Sequence, residues 1–150
     1  MCTVLVIDDE QMIVSLLQLA LTEFGYNVET ATDGREGIQK FDKKFIDIVI
    51  TDICMPDIDG KEVARHVRNS SRKTTPVVAI SGTPWLLKDS DFDKVLAKPF
   101  PLKALYDTIE HLASKPHKLI GNRFLRFDPK LHSQAPHTKF FSTIGSDVVK

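Results

Sequence analysis

The sequence predicts an α/β protein in which a parallel sheet carries helices on both faces. Short apolar runs rich in β-branched residues alternate with segments whose apolar residues recur at helical spacing, through the first 114 residues. The apolar runs are continuous, which is typical of strands that are buried on both faces. Such strands are expected to be parallel and joined by right-handed crossovers.

The predicted elements follow one another in a regular order. Residues 4–7 form the first strand, and apolar positions from Met12 to Phe24 predict a helix that ends at Gly25. We expect the remaining strands and the remaining clear helices over these residues: strands 26–31, 45–50, 76–80 and 94–97, and helices 33–41, 61–68 and 102–113.

The connection between the fourth and fifth strands is short. Sixteen residues separate Ser81 from Lys98, and they must hold a helix and both of its loops. We therefore expect a shortened or irregular fourth helix. Trp85 is interpreted as a cover for the core that this short helix leaves bare, and the alternative is an exposed anchor for a partner.

The bulk composition is that of an ordinary globular chain. Apolar residues make up 42% and charged residues 27% of the 150 positions, and the formal net charge is zero. A neutral chain offers no general attraction to nucleic acid or to a membrane surface. With no membrane-length apolar stretch, no signal-peptide pattern and only two cysteines, a cytoplasmic protein without membrane insertion is expected.

Charge divides the chain into two parts. Residues 115–150 contain seven Lys or Arg and two Asp or Glu, a net charge of +5, so residues 1–114 carry −5. We predict one domain over residues 1–114 and a basic, Phe-containing extension over residues 115–150. The extension lacks a helix-turn-helix pattern, so a nucleic-acid output domain is not expected. It could pack on the domain, which we favour, dock on a partner, or remain a basic arm.

Polar side chains cluster at the predicted carboxyl ends of four strands. Asp8 and Asp9 follow the first strand, Asp52 the third, Ser81 the fourth and Lys98 the fifth. In open parallel sheets the functional crevice lies at this edge. The sequence therefore predicts a site that combines three carboxylates, a hydroxyl and an ammonium group.

This combination of groups suits phosphoryl transfer. Three carboxylates in one crevice repel one another, and a divalent cation such as Mg²⁺ relieves that repulsion. A cation, a lysine and a hydroxyl can position and neutralise a phosphoryl group. One carboxylate must be the nucleophile. Asp52 is the best candidate because it stands alone at the end of the central strand.

Each residue also has a purely structural interpretation. Asp8 could cap the following helix, with Gln11 completing a capping box, and taken alone that is the better interpretation. Asp52 and Ser81 could be turn residues, and Lys98 could be a solvated loop residue. All of these explanations together are less economical than one phosphate site.

Four segments resemble the receiver domain of two-component response regulators. Residues 4–9 resemble its opening strand, and residues 52–60 are similar to its D-x-x-M-P-x-x-D-G block. Residues 75–82 resemble its fourth strand with the switch hydroxyl, and residues 97–100 its K-P-F end of strand five. The resemblance spans about residues 3–113. It implies a flavodoxin-like fold with strand order 2-1-3-4-5.

The resemblance implies a role for each acidic residue. Asp52 would be the phosphoacceptor and a Mg²⁺ ligand. Asp9 would bind Mg²⁺ directly, Asp8 largely through water, and the backbone carbonyl of Cys54 would be a further ligand.

The resemblance also implies phosphoryl-binding and loop-shaping residues. Ser81 would donate to a phosphoryl oxygen and pull its loop inward, and Lys98 would pair with another phosphoryl oxygen. The residue before Pro99 would be joined to it by a cis peptide bond. The implied loop-shaping residues are Met55, Pro56, Gly60 and Pro99.

Three positions bear on how such a switch would differ from its relatives. Val95 stands where the family carries an aromatic switch residue, which puts that side-chain switch in doubt. Cys54 and Thr83 occupy positions that tune phosphoryl lifetime. Neither is bulky or charged, so water is expected to reach the phosphorylated carboxylate.

The leading functional hypothesis is a stand-alone, Mg²⁺-dependent phosphorylation switch. A sensor histidine kinase or a phosphotransfer protein would supply the phosphoryl group, and signalling would proceed by protein contacts, including a possible homodimer. The alternative is a phosphate-independent adaptor or dimerisation module. A phosphatase is disfavoured because Cys54 stands where that class needs a second carboxylate. The chain would not be a turnover enzyme.

Overall fold

The fold was determined from a computed structural model, which describes residues 1–87 and 91–114. Five parallel strands form one sheet in the order β2-β1-β3-β4-β5, as the resemblance implied. Parallel strands need crossover connections, and those connections carry the helices. The strands are β1 (Thr3–Ile7), β2 (Asn27–Ala31), β3 (Ile48–Asp52), β4 (Val77–Ser81) and β5 (Lys94–Ala97).

Helices cover both faces of the sheet. One core cluster packs α1 and α4 against the sheet, and a second cluster on the other face packs α2 and α3. The flavodoxin-like α/β prediction is therefore confirmed. The helices are α1 (Gln11–Glu23), α2 (Gly34–Lys43), α3 (Gly60–Asn69) and α4 (Leu102–Ala113). Within the described residues, no helix is both long enough and apolar enough to cross a membrane.

The connection between β4 and β5 is shortened, as predicted. Its described residues contain one turn of 3-10 helix, η1 (Pro84–Leu86). Phe92 packs against the core on the α2 and α3 side. The interpretation of Trp85 as a core cover is wrong, because its side chain is 66% exposed. Phe92, rather than Trp85, contacts the core from this connection.

Two other expectations from apolar pattern are corrected. The third strand begins at Ile48, and Phe45 is 75% exposed, whereas Ile46 is buried in the core although it precedes the strand. Met12 is 83% exposed although it fits the helical spacing. The core-facing side of α1 consists of Val14, Leu17, Ala20 and Leu21.

The predicted boundary between a domain and an extension remains a prediction. The last described helix ends at Ala113. The expectation that residues 115–150 pack on the domain lies outside the described residues.

Candidate functional site

The carboxyl ends of β1 and β3 bring three carboxylates together. Ile7 and Thr51 are register partners, so Asp8 follows β1 next to Asp52, the last residue of β3. Carboxylate oxygens of Asp8, Asp9 and Asp52 all lie within 4.8 Å of one another. The sheet register, rather than any local sequence pattern, creates this cluster.

Burial makes the charged forms of two of these carboxylates costly. Asp8 is 1% and Asp52 6% exposed, whereas Asp9 is exposed. Burial raises the pKa of Asp8 to about 6; the Glu10 backbone hydrogen bond opposes that rise, and the charge of Asp52 adds to it. Burial also raises the pKa of Asp52, against the opposing attraction of Lys98.

One carboxylate oxygen of the cluster is buried and makes no hydrogen bond with the other described residues. Oδ1 of Asp8 accepts a hydrogen bond from the backbone N–H of Glu10 at 2.9 Å. Its Oδ2 is buried and has no hydrogen-bond partner among the described residues. A buried anionic oxygen without a partner is expensive, and a hard divalent cation with oxygen ligands would satisfy it. The donor set therefore fits Mg²⁺.

Asp8 does not cap the helix that follows it. The N-cap residue of α1 is Glu10, whose side chain makes no capping hydrogen bond. The capping-box interpretation with Gln11 is therefore wrong. Glu10 was not singled out from the sequence, yet its charge, after those of Asp52 and Asp8, acts on Lys98.

Lys98 brings a positive charge to the phosphoacceptor candidate. Its Nζ lies 3.1 Å from Oδ1 of Asp52, and its side chain is 22% exposed. Burial lowers the pKa of Lys98, but the carboxylates near it, with Asp52 the strongest, together outweigh that effect and the net shift is upward. Its backbone N–H donates to the carbonyl of Ser81 at 2.8 Å, and the Lys98–Pro99 peptide bond is cis.

Ser81 ends β4 at the same edge and is bonded to the turn that follows. It is the register partner of Ala97, the residue before Lys98. Its Oγ accepts from the backbone N–H of Thr83 at 3.0 Å, and the carbonyl of Thr83 accepts from Leu86. Two hydrogen bonds thus join the Ser81 hydroxyl to η1.

The loop between β3 and α3 passes close to the acceptor strand. A Cβ at Gly60 would overlap the carbonyl oxygen of Asp52, so only glycine fits without a shift. Met55 is buried in the core, and Pro56 is exposed. Asp57 adopts a positive φ of 62°, a conformation that Asp tolerates better than most residues.

The side chains of two predicted site residues, Cys54 and Val95, are not part of the carboxylate cluster. The thiol of Cys54 is exposed. The ligand atom that the resemblance implies is its backbone carbonyl oxygen, not the thiol. Val95 is half-buried in β5 beside Ala79, and its branched side chain occupies the position expected for an aromatic residue.

Comparison with known proteins identifies one family. The profile of the response regulator receiver domain matches residues 4–110. TrcR, a transcriptional regulatory protein of Mycobacterium tuberculosis, is 38% identical over 107 residues, which cover 68% of this chain and 41% of TrcR. PhoP, the alkaline phosphatase synthesis transcriptional regulatory protein of Bacillus subtilis, is 39% identical over 93 residues, 62% of this chain and 36% of PhoP. The chain spans less than half the length of these relatives.

Solved structures of similar fold agree with that match. TrrA of Thermotoga maritima, crystallised in complex with Mg²⁺ and BeF, has a TM-score of 0.69 and 34% identity, covering 75% of this chain and 99% of TrrA. The chemotaxis protein CheY4 of Vibrio cholerae has a TM-score of 0.68 and 32% identity, covering 75% and 98%.

Proposed function

This chain belongs to the response regulator receiver family, and we propose that it is a switch phosphorylated on Asp52 by a histidine kinase or a phosphotransfer protein. Receiver domains of this family are signalling switches of two-component systems and not turnover enzymes. The observation that carries the proposal is the buried Asp52 carboxylate, which lies 3.1 Å from the Lys98 ammonium and close to two further carboxylates.

Asp52 is proposed as the nucleophile of the transfer. A carboxylate oxygen of Asp52 would form a bond to phosphorus while the bond from phosphorus to the donor's imidazole nitrogen breaks. Lys98 would stay charged and form an ion pair with a phosphoryl oxygen, because its ammonium group already lies next to the acceptor carboxylate. Ser81 would donate its hydroxyl hydrogen to another phosphoryl oxygen while still accepting from Thr83.

A magnesium ion is proposed as the cofactor of this step. Asp8, Asp9, Asp52 and the backbone carbonyl of Cys54 would hold it. The ion would supply positive charge that offsets the carboxylates and the incoming phosphoryl oxygens. The support is the unpartnered Oδ2 of Asp8 and the mutual closeness of the three carboxylates.

The output of the switch is proposed to be a protein contact. The longer relatives are transcriptional regulators, and this chain aligns with less than half of each, so action without an attached output domain stays a prediction. Homodimer formation also stays a prediction. Two free cysteines and a kinase donor are the grounds on which we propose a cytoplasmic location.

Intact-mass measurement tests the acceptor directly. The protein would be incubated with acetyl phosphate and Mg²⁺, alongside Asp52→Asn and a control, Asp57→Asn, in an exposed loop of the same region. We expect one phosphate on the wild type and on Asp57→Asn, and none on Asp52→Asn. Omission of Mg²⁺ with added EDTA should abolish the adduct.

The same experiment separates the switch from the phosphate-independent adaptor. Val95 and the shortened β4–β5 connection are the features that favour an adaptor. An adaptor would give no adduct on any variant, and Asp52→Asn would keep full partner binding. An adduct that persists on Asp52→Asn would instead move the acceptor to another residue and contradict the proposal.

A further inference from the structure

Helix α1 has a second apolar face that points away from the core. Met12, Leu16 and Leu19 lie four and three residues apart, a spacing that places them on one side of a helix. Met12 is 83% and Leu19 55% exposed, and Leu16 is half-buried. The other described residues leave Met12 and Leu19 largely uncovered, and we call this row the α1 stripe.

Acidic residues flank helix α1 at both of its ends. Asp9 and Glu10 precede the helix, Glu23 ends it, and all three are exposed. The helix itself, QMIVSLLQLALTE, contains no Lys or Arg. A segment that complements this surface should therefore carry apolar side chains interleaved with positive charges.

We propose that the α1 stripe is covered by the basic extension of the same chain, residues 115–150. The extension has a net charge of +5, opposite to the −5 of residues 1–114. Its first part alternates the two required properties. The apolar residues there are Leu119, Ile120, Phe124, Leu125 and Phe127, and the basic residues are Lys115, Lys118, Arg123, Arg126 and Lys130.

The position at which the extension leaves the domain supports this occupant. It follows α4, which lies beside α1 on the same face of the sheet. Near the end of α1, the rings of Phe24 and Tyr106 are 4.6 Å apart between centroids. The extension therefore leaves the domain from a helix on the same face of the sheet as the α1 stripe.

The length of the extension is sufficient for this path. A helix of 13 residues such as α1 is about 20 Å long, at about 1.5 Å per residue. The 36 residues after Ser114 can span about 120 Å when fully extended. Docked there, the extension would cover the helix that begins beside the acidic site and would restrict the surfaces open to protein partners.

Hydrogen exchange on the full chain tests the contact without any phosphodonor or Mg²⁺, so its outcome does not depend on the proposed function. Exchange of the amides in residues 115–131 would be compared among three proteins. These are the wild type, a stripe variant (Met12→Ser with Leu19→Ser), and a matched control (Gln11→Ser with Gln18→Ser) on exposed polar positions of α1.

We expect slowed exchange in the wild type and in the control, and an acceleration of at least about tenfold in the stripe variant. Unchanged protection of the β3 and β4 amides would show that each variant is folded. Raising the salt concentration should also accelerate exchange in the wild type, because opposite charges hold part of the contact.

Two results would overturn the inference. One is fast exchange of residues 115–131 in all three proteins, which means that no surface covers or orders the extension. The other is slow exchange that the stripe variant leaves unchanged, which places the extension elsewhere, for example on the exposed Trp85 and Leu86 of η1.

Discussion

Asp8 is the residue of the acidic site whose ionised form costs the folded protein stability most clearly. Its carboxyl group is buried against Asp52 and Asp9, and one of its oxygens has no partner among the described residues. Burial, with the like charge of Asp52, raises its pKa from 3.8 to about 6. A raised acid pKa in the folded state means that the ionised form opposes folding.

Asp8→Asn is expected to stabilise the metal-free protein. Above about pH 6 the ionised Asp8 costs stability, and as the pH falls toward 4 the folded protein takes up the proton and the cost disappears. In EDTA at pH 7, urea unfolding should show a gain on the order of 1–3 kcal/mol, which vanishes near pH 4. Asp107→Asn, on the exposed side of α4, is the control and should show no such gain. A loss of stability at pH 7 would contradict this account.

Gly60 is the residue whose identity is set by close backbone approach. It begins α3, and a Cβ there would overlap the carbonyl oxygen of Asp52, which is backbone and cannot rotate away. Gly82 offers a matched comparison, because a Cβ at that position meets no atom within 4 Å.

Gly60→Ala should destabilise the protein, and Gly82→Ala should not. We expect a loss of about 1–3 kcal/mol at Gly60 from forced backbone movement, and a change within about 0.5 kcal/mol at Gly82. Thermal unfolding measures both. Because the clash is with the acceptor strand, Gly60→Ala should also slow phosphorylation by acetyl phosphate. Equal stability of the two variants would remove the steric explanation.

Among the elements, the β4–β5 connection departs most from a regular α/β unit. A polar network centred on Asp93 holds the start of β5 to the start of β4. Oδ2 of Asp93 accepts from the guanidinium of Arg68 at 2.6 Å and from the backbone N–H of Val77 at 2.8 Å. The backbone N–H of Asp93 donates to the carbonyl of Val77.

Asp93→Ala tests whether this network anchors the edge strand. The substitution leaves the fully buried N–H of Val77 without its acceptor, which costs about 1–3 kcal/mol. Chemical unfolding should show that loss, and hydrogen exchange should accelerate in β5. The neighbouring Asp91→Ala is the control, since Asp91 is exposed and makes no hydrogen bond among the described residues. Equal effects of the two substitutions would show that the network is not an anchor.

At the scale of the whole molecule, metal binding and global stability are linked through the acidic site. A cation that binds only the folded state adds stability that grows with its concentration relative to Kd. Protons compete for the same carboxylates, because a ligand carboxyl must be ionised to bind. The raised pKa of Asp8, about 6 in the metal-free state, places this competition just below neutral pH.

Addition of 10 mM Mg²⁺ should therefore raise the melting temperature by roughly 5 °C at pH 7.5, and by much less at pH 5. Differential scanning calorimetry at matched ionic strength measures both shifts. The variant Asp8→Asn with Asp52→Asn should respond at neither pH. A shift of equal size at both pH values in the wild type would indicate binding away from the carboxylates.

The sequence alone determined the alternation of strands and helices, the strand-end positions of Asp8, Asp52, Ser81 and Lys98, and the shortness of the β4–β5 connection. These features follow from local periodicity and spacing, because they depend on residues within one element or in neighbouring elements of the chain. The strand order was predicted from the resemblance to the family, because the order of the strands along the chain does not specify which strands pair.

The tertiary structure alone decided which surfaces and charges meet. Helical spacing marked Met12 as apolar, but only the packing of α1 on the sheet shows that it faces outward. Asp8 fitted a helix cap locally, and only the register of β1 with β3 makes it a buried carboxylate beside Asp52. The meeting of the carboxylates followed from their positions at strand ends, but the burial of Asp8 and its unpartnered oxygen depend on packing between distant segments, which no local pattern specifies.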